Sequence, residues 1–252
     1  MGQIWDTGDI HGDISRFSID CFPEQNEMTK EDVMIINGDF GCVWNYKGET
    51  KEEKYKLDWL ENKPFTTVFV DGNHEAFNRL YSYPIKEWSG GLVHEIRPHV
   101  LHLMRGEIYT INDKKIFAFG GASSHDVQDG ILDPIKDKKM IKRWNKDWTK
   151  MFRINGISWW KEELPTEEEM QHGKDNLAKH ENKVDFIITH SPSSSVVASL
   201  EWGLYEQDIL TRYLEEIKCN TEYTKMLSGH MHVNMQVNEK DIILYEQIIR
   251  IV

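Results

Sequence analysis

Two periodicities alternate along the chain. Short apolar runs, rich in β-branched and aromatic residues, recur at Gln3-Ile4-Trp5, Val33-Met34-Ile35-Ile36, Thr67-Val68-Phe69-Val70, Phe186-Ile187-Ile188 and Met226-Leu227, and each predicts a buried strand. The first part adds a predicted helix around Ile14–Cys21 and a charged helix from about Lys51 to Glu61 with Tyr55, Trp59 and Leu60 as its inward face. That strand–helix–strand rhythm predicts a mostly parallel sheet. In the middle, Val100–Met104, Glu107–Ile111 and Lys115–Phe119 are separated by Arg105-Gly106 and Asn112-Asp113 and predict a meander. Thr166 and Glu169, just after Pro165, form a capping box that opens a helix to about His180. A strand at Asp185–Thr189, a helix from about Glu206 to Ile217, and strands at Met226–Ser228, Asn234–Val237 and Ile242–Tyr245 complete the pattern. The fold class expected is α/β, two packed sheets flanked by helices, in one domain over residues 1–252.

The least regular stretch, residues 124–152, reads as an insertion or cap. Met140, Ile141, Trp144, Trp148 and Met151 recur at helical spacing there. From Lys136 to Arg153, eight positive side chains face only Asp137 and Asp147. The pattern fits either a lid that draws in anionic substrates or a surface helix with a solvated face.

Composition narrows the function. At 252 residues with nine tryptophans, the chain can bury a substantial core. A net charge of -12 excludes general nucleic-acid binding by the whole surface, though not a local cationic site. Cys21, Cys42 and Cys219 are too few and scattered for a disulfide framework or zinc ribbon, and suit a reducing compartment. Cys42 reads as a buried, inert thiol. The first strand starts almost at Met1, and no apolar run nears the roughly 20 residues that span a bilayer, so a cytoplasmic protein without membrane partners is expected.

Each apolar run is followed by a polar motif. In order these are Asp9-Ile10-His11, Gly38-Asp39, Gly72-Asn73-His74-Glu75, Thr189-His190 and Gly229-His230-Met231-His232. Open α/β sheets bind ligands beyond the carboxyl ends of their strands, so these distant motifs can converge there. Residues two apart on an extended segment point the same way, which lets Asp9 with His11, and His230 with His232, each face one pocket. Carboxylate, imidazole and carboxamide suit a divalent first-row transition ion. Seven such ligands exceed what one tetrahedral ion uses and match two ions sharing the Asp39 carboxylate. Two ions about 3.5–4 Å apart form a clamp for in-line displacement at phosphorus.

Together the motifs resemble the signature of the calcineurin-like metallophosphoesterases, in order from near the start of the chain to about Val233. The resemblance implies a four-layer αββα sandwich with a dinuclear site. It implies that Asp9, His11 and His232 hold one metal, that Asn73, His190 and His230 hold the other, and that Asp39 bridges them. It further implies a metal-bridging hydroxide as nucleophile, with His74 contacting the phosphoryl oxygens as general acid or charge stabiliser. Manganese leads the metals expected, followed by iron, zinc, nickel and cobalt.

The protein Ser/Thr phosphatase branch continues its second motif as Gly-Asp-x-x-Asp-Arg-Gly. Here the chain reads Gly38-Asp39-Phe40-Gly41-Cys42-Val43-Trp44, so Cys42 and Val43 stand where an aspartate and an arginine are expected. Arg153, in Phe152-Arg153-Ile154-Asn155-Gly156, becomes the expected substrate contact beside Asn73 and His74, and with Gly120-Gly121-Ala122-Ser123 this segment resembles a bacterial subgroup of the superfamily. Arg16, Arg79 and Arg105 are the alternatives, otherwise surface residues, and His125 with Asp126 is a further place to look for a site role. Trp159 and Trp160 read as core. The expected activity is hydrolysis of a phosphorylated substrate, with a phosphomonoester slightly favoured over a phosphodiester or nucleic acid. The reading from another class is a non-catalytic scaffold that binds partners.

Overall fold

A computed structural model describes residues 2–200 and 207–252. In chain order, β1 (Ile4–Thr7), β2 (Val33–Ile36), the helix α1 (Lys51–Glu61) and β3 (Thr66–Phe69) come first. The short helix α2 (Phe77–Leu80), the hairpin strands β4 (Ile85–Trp88) and β5 (Gly91–Arg97), and β6 (Val100–Leu103) follow. Next are β7 (Glu107–Ile111), β8 (Lys114–Phe119), β9 (Gly130–Leu132), α3 (Lys138–Trp144), β10 (Phe152–Ile154), α4 (Glu167–Lys179) and β11 (Phe186–Thr189). The helices α5 (Ser194–Ser199) and α6 (Ile209–Asn220) precede β12 (Lys225–Ser228), β13 (Met235–Gln236), β14 (Asp241–Ile243) and β15 (Ile248–Arg250).

Two mixed sheets result, ordered β15-β1-β2-β3-β6-β5-β4 and β13-β14-β12-β11-β8-β7. Strands β1, β2, β3 and β6 run parallel in one, and β8, β11, β12 and β14 in the other. Alternation along each strand builds the layers. Val33, Ile35 and Val68 of the first sheet meet Ile116, Ala118, Ile188 and Leu227 of the second in a shared core. Their neighbours Met34, Ile36 and Phe69 turn outward onto Leu57 and Leu60 of α1. On the far side, Phe117, Ile187 and Met226 pack against Leu177 of α4 and Leu210, Leu214 and Ile217 of α6. Helices thus cover both outer faces of the sheet pair.

Several expectations need correction. Ile14–Cys21 is not a helix: only Ser15–Phe17 makes a 3-10 turn, and a second runs over Pro23–Glu27. Gln25 Nε2 donates to the carbonyls of Phe17, Ser18 and Phe22, taking acceptors that helical pairing would have used. Tyr55 is 66 % exposed. Leu57 and Leu60 set the inward face, and two residues of helical rotation carry Tyr55 about 200° away from Leu57.

The expected meander is divided between the sheets. β6 belongs to the first and β7–β8 to the second, and Met104-Arg105-Gly106 carries the chain across. A strand–turn–strand pattern reads the same whether the turn doubles back or changes sheets. The crossing is fixed by a buried ion pair between Arg105 Nη2 and Asp71 Oδ2 (2.5 Å). Residues 124–154 contribute the small parallel pair β9–β10 and a helix α3 with no buried residue. The capping box of α4 is present, with Thr166 accepting from the Glu169 amide. Glu206, the expected start of the next helix, lies outside the described residues; Asp208 caps α6.

Candidate metal centre

Every motif sits just past the carboxyl end of a parallel strand: Asp9 and His11 after β1, Asp39 after β2, Asn73 and His74 after β3, His190 after β11, His230 and His232 after β12. Four ligand candidates occupy left-handed backbone, His11 at φ 46°, Asp39 at 43°, His230 at 65° and His232 at 49°. Such conformations are costly for non-glycine residues and persist where surrounding structure enforces them. The glycines between are tied to close approach. A Cβ on Gly72 would lie 2.1 Å from Asp39 Oδ1, and one on Gly229 would lie 2.2 Å from Asp9 Oδ1.

Asp9, His11, Asp39 and His232 present ligand atoms that all lie within 4.8 Å of one another. His11 Nε2 is 3.0 Å from His232 Nε2, which is 3.2 Å from Asp9 Oδ2. Those are separations expected of adjacent ligands on one ion with bonds of about 2.0–2.2 Å. Asp39 faces both ways: Oδ2 is 3.7 Å from His11 Nδ1, and Oδ1 is 3.3 Å from His190 Nε2. His190 Nδ1 lies 2.6 Å from the Asn37 carbonyl, a donation that leaves Nε2 bare toward Asp39. The His230 ring lies 4.9 Å from that of His190, and its backbone N–H donates to Asp9 Oδ1 at 2.9 Å. Asn73 joins through its successor, since the His74 amide donates to Asp39 Oδ1 (2.8 Å).

The fit to a cation rests on buried atoms that make no hydrogen bond and face other ligand candidates. Asp9 Oδ2, Asn73 Oδ1 and His190 Nε2 are buried and accept no hydrogen bond. Electrostatics agree. Burial disfavours protonation of His190, yet Asp39 and Asp9 outweigh it and hold the ring's pKa up to about 10. In His230, burial and then His190 drive the pKa well down. The carboxylates thus create a demand for positive charge that a bound cation meets.

Arg153 is buried on β10 and lies against His74. Its Nη2 donates to His74 Nε2 (2.9 Å) and its Nη1 to the Asn73 and Ser158 carbonyls, while Nε pairs with Asp126 Oδ1 at 2.6 Å. Burial, followed by an opposing Asp39 and a reinforcing Arg153, brings the His74 pKa down to about 4. The indole of Trp44 stacks on His74 at 5.3 Å and 27°. Cys42 is fully buried, and burial pushes its thiol up, as expected of an inert residue. Trp160 is core and Trp159 half-buried.

Of the alternative arginines, Arg79 and Arg105 are buried and Arg16 is half-buried, and each is engaged by protein acceptors. Arg16 donates to the Asp9, Tyr245 and Gly8 carbonyls and to Thr7 Oγ1. Arg79 pairs with Glu53 at 2.9 Å, and Arg105 with Asp71. The flagged His125 lies 6.1 Å from the His230 ring. Behind Asn73 lies a buried relay that the linear pattern does not reveal: Asn73 Nδ2 donates to Ser124 Oγ (3.4 Å), which in turn donates to Glu163 Oε2 at 2.6 Å. Nothing in the linear pattern marks Glu163. Glu75 had no role assigned, and its Oε1 accepts the Phe40 amide at 2.7 Å, tying the third motif to the second.

The family model described as calcineurin-like phosphoesterase matches residues 3–234. Among curated proteins, the chain is similar to a lariat debranching enzyme of Schizosaccharomyces pombe, 28% identical over 129 residues that cover 46% of this chain and 26% of that protein. It is also similar to lariat debranching enzyme A of Xenopus laevis, 28% identical over 140 residues, covering 50% of this chain and 25% of the relative. The lariat debranching enzyme of Danio rerio is 26% identical over 140 residues, covering 50% and 23%. The match spans about a quarter of the length of these relatives.

Proposed function

Because the chain belongs to the calcineurin-like phosphoesterase family, we propose that it hydrolyses a phosphoester at a two-ion centre. Asp9, His11 and His232 would hold one ion, Asn73, His190 and His230 the other, with Asp39 between them. The observation that carries this reading is that Asp9 Oδ2, Asn73 Oδ1 and His190 Nε2 are buried without a hydrogen bond. Leaving such a group buried and unsatisfied costs about 1–3 kcal/mol, which a coordinating cation offsets. Divalent ions supply Lewis-acid polarisation of phosphoryl oxygen and an activated water when bound. The mixed oxygen and nitrogen donors suit first-row ions, manganese first, then iron, zinc, nickel or cobalt. Arg153 and His74 form the substrate side. Arg153 fixes the orientation of the His74 ring and offers its guanidinium to the phosphoryl group, and His74 assists the leaving oxygen.

We take the ester to be a diester, where the linear pattern leaned toward a monoester. Val43 is buried and apolar where the phosphatase branch has an arginine. The remaining guanidinium, Arg153, is already balanced by Asp126, which suits one negative charge on phosphorus better than two. The lariat debranching enzymes it resembles are phosphodiesterases. No helix among the described residues is long and apolar enough to cross a membrane, and Cys21, Cys42 and Cys219 are free thiols, so we place the protein in the cytoplasm.

Hydrolysis of an activated bis-aryl phosphate, compared with the aryl monoester, tests both levels. Wild type should prefer the diester, and Asp39→Asn should lose hydrolysis together with bound metal. Full activity in that variant overturns the site. Under about half an equivalent of metal in reconstituted wild type would instead support the scaffold reading.

A further inference from the structure

The segment between β9 and β10 concentrates positive charge in an acidic chain. Lys136, Lys138, Lys139, Lys142, Arg143 and Lys146 are all exposed. None of them forms an ion pair among the described residues. Lys150 is the exception, held by Asp129 at 2.6 Å. The chain as a whole carries -12, so this patch stands against the sign of its surroundings. Like charges this close repel, and Asp133, Asp137 and Asp147 offset only part of them; an external polyanion complements the rest.

Three further observations choose among polyanions. Trp148 is 94 % exposed beside the cations, a free ring with no packing role. The apolar side chains that a membrane-seated helix would present are instead partly turned in: Met140, Ile141 and Trp144 are half-buried, and Trp144 packs on Phe152 at 5.3 Å. The segment also leads directly into β10, whose Arg153 touches His74. We propose that residues 136–150 bind the sugar-phosphate backbone of a single-stranded nucleic acid beside the ester to be cut, with Trp148 stacking on a base. This rests on the diester reading above and adds a class of substrate to it.

Fluorescence anisotropy with a labelled, mixed-sequence oligonucleotide of about twelve nucleotides, as RNA and as DNA, tests it in chelator so that no cleavage occurs. Wild type should bind with an affinity that falls steeply with salt. Replacing Lys138, Lys139, Lys142 and Arg143 together by glutamine should weaken binding tenfold or more and flatten the slope of log K against log salt by about 3, at roughly 0.7 for each phosphate no longer neutralised. Trp148→Ala should weaken it about fivefold or more with the slope unchanged. Thermal midpoint and metal content verify that each variant is folded. Equal affinity of the fourfold variant and wild type overturns the proposal. So does wild-type binding to phosphatidylserine vesicles without binding to the oligonucleotide. Bis-aryl phosphate hydrolysis by wild type separates the two levels: hydrolysis without oligonucleotide binding removes only this surface, whereas no hydrolysis removes the diester reading beneath it.

Discussion

Glu163 sits in an environment that its position in the chain does not suggest. It is 2 % exposed, and burial, partly opposed by Ser124 and Arg153, pushes its pKa up to about 8. The folded protein therefore keeps a proton that the unfolded chain releases at an ordinary carboxylate pKa. Stability is unaffected by this group below that value and falls as pH rises to about 8. Glu163→Gln removes the dependence while keeping a carbonyl to receive Ser124. The melting-temperature difference, variant minus wild type, should grow between about pH 5 and about pH 8 in scanning calorimetry. A flat difference contradicts a neutral buried carboxyl. Polar residues that follow strand-like runs were legible because the runs flag their positions. Glu163 was not, since a glutamate in a short turn reads as solvated until Ser124 and Trp160 close over it.

At the level of elements, the passage from β6 to β7 decides how the sheets are joined. Arg105 is enclosed there with Asp71, and His102 Nε2 lies 3.1 Å from the same carboxylate. Removing one partner of a buried pair strands the other charge, a loss of about 3–5 kcal/mol. Arg105→Ala should lower the free energy of urea unfolding by that order, while folded molecules keep their specific hydrolysis. Lost hydrolysis at unchanged stability would instead return Arg105 to the substrate. Apolar periodicity located β2, β3, β8 and β11 within a residue or two because each is buried on both faces. It missed β4 and β5, since β4 is mostly exposed and carries no apolar stripe.

For the whole molecule, the centre joins two sheets. Asp9, His11 and Asp39 come from the first, and His190, His230 and His232 from the second. Ions bound across them favour the folded state by mass action, about 2.7 kcal/mol at a hundredfold excess over Kd. Stripping metal with a chelator should lower the melting temperature by about 5–10 °C for a chain of this size, restored by the added ion. An unchanged melting temperature would count against a centre shared between the sheets.

That the strand-end motifs converge was already written in the linear chain. Strand periodicity and the polar residues that end each strand are local properties, and the strand ends of a parallel sheet leave those residues one place to go. Long-range packing settled the rest. It separated the apparent meander into two sheets and enclosed Arg79 and Arg105 in ion pairs. It brought Ser124 and Glu163 behind Asn73, and left the 136–150 cations facing solvent. Each of those outcomes depends on residues far apart in the chain meeting in space, which no local pattern encodes.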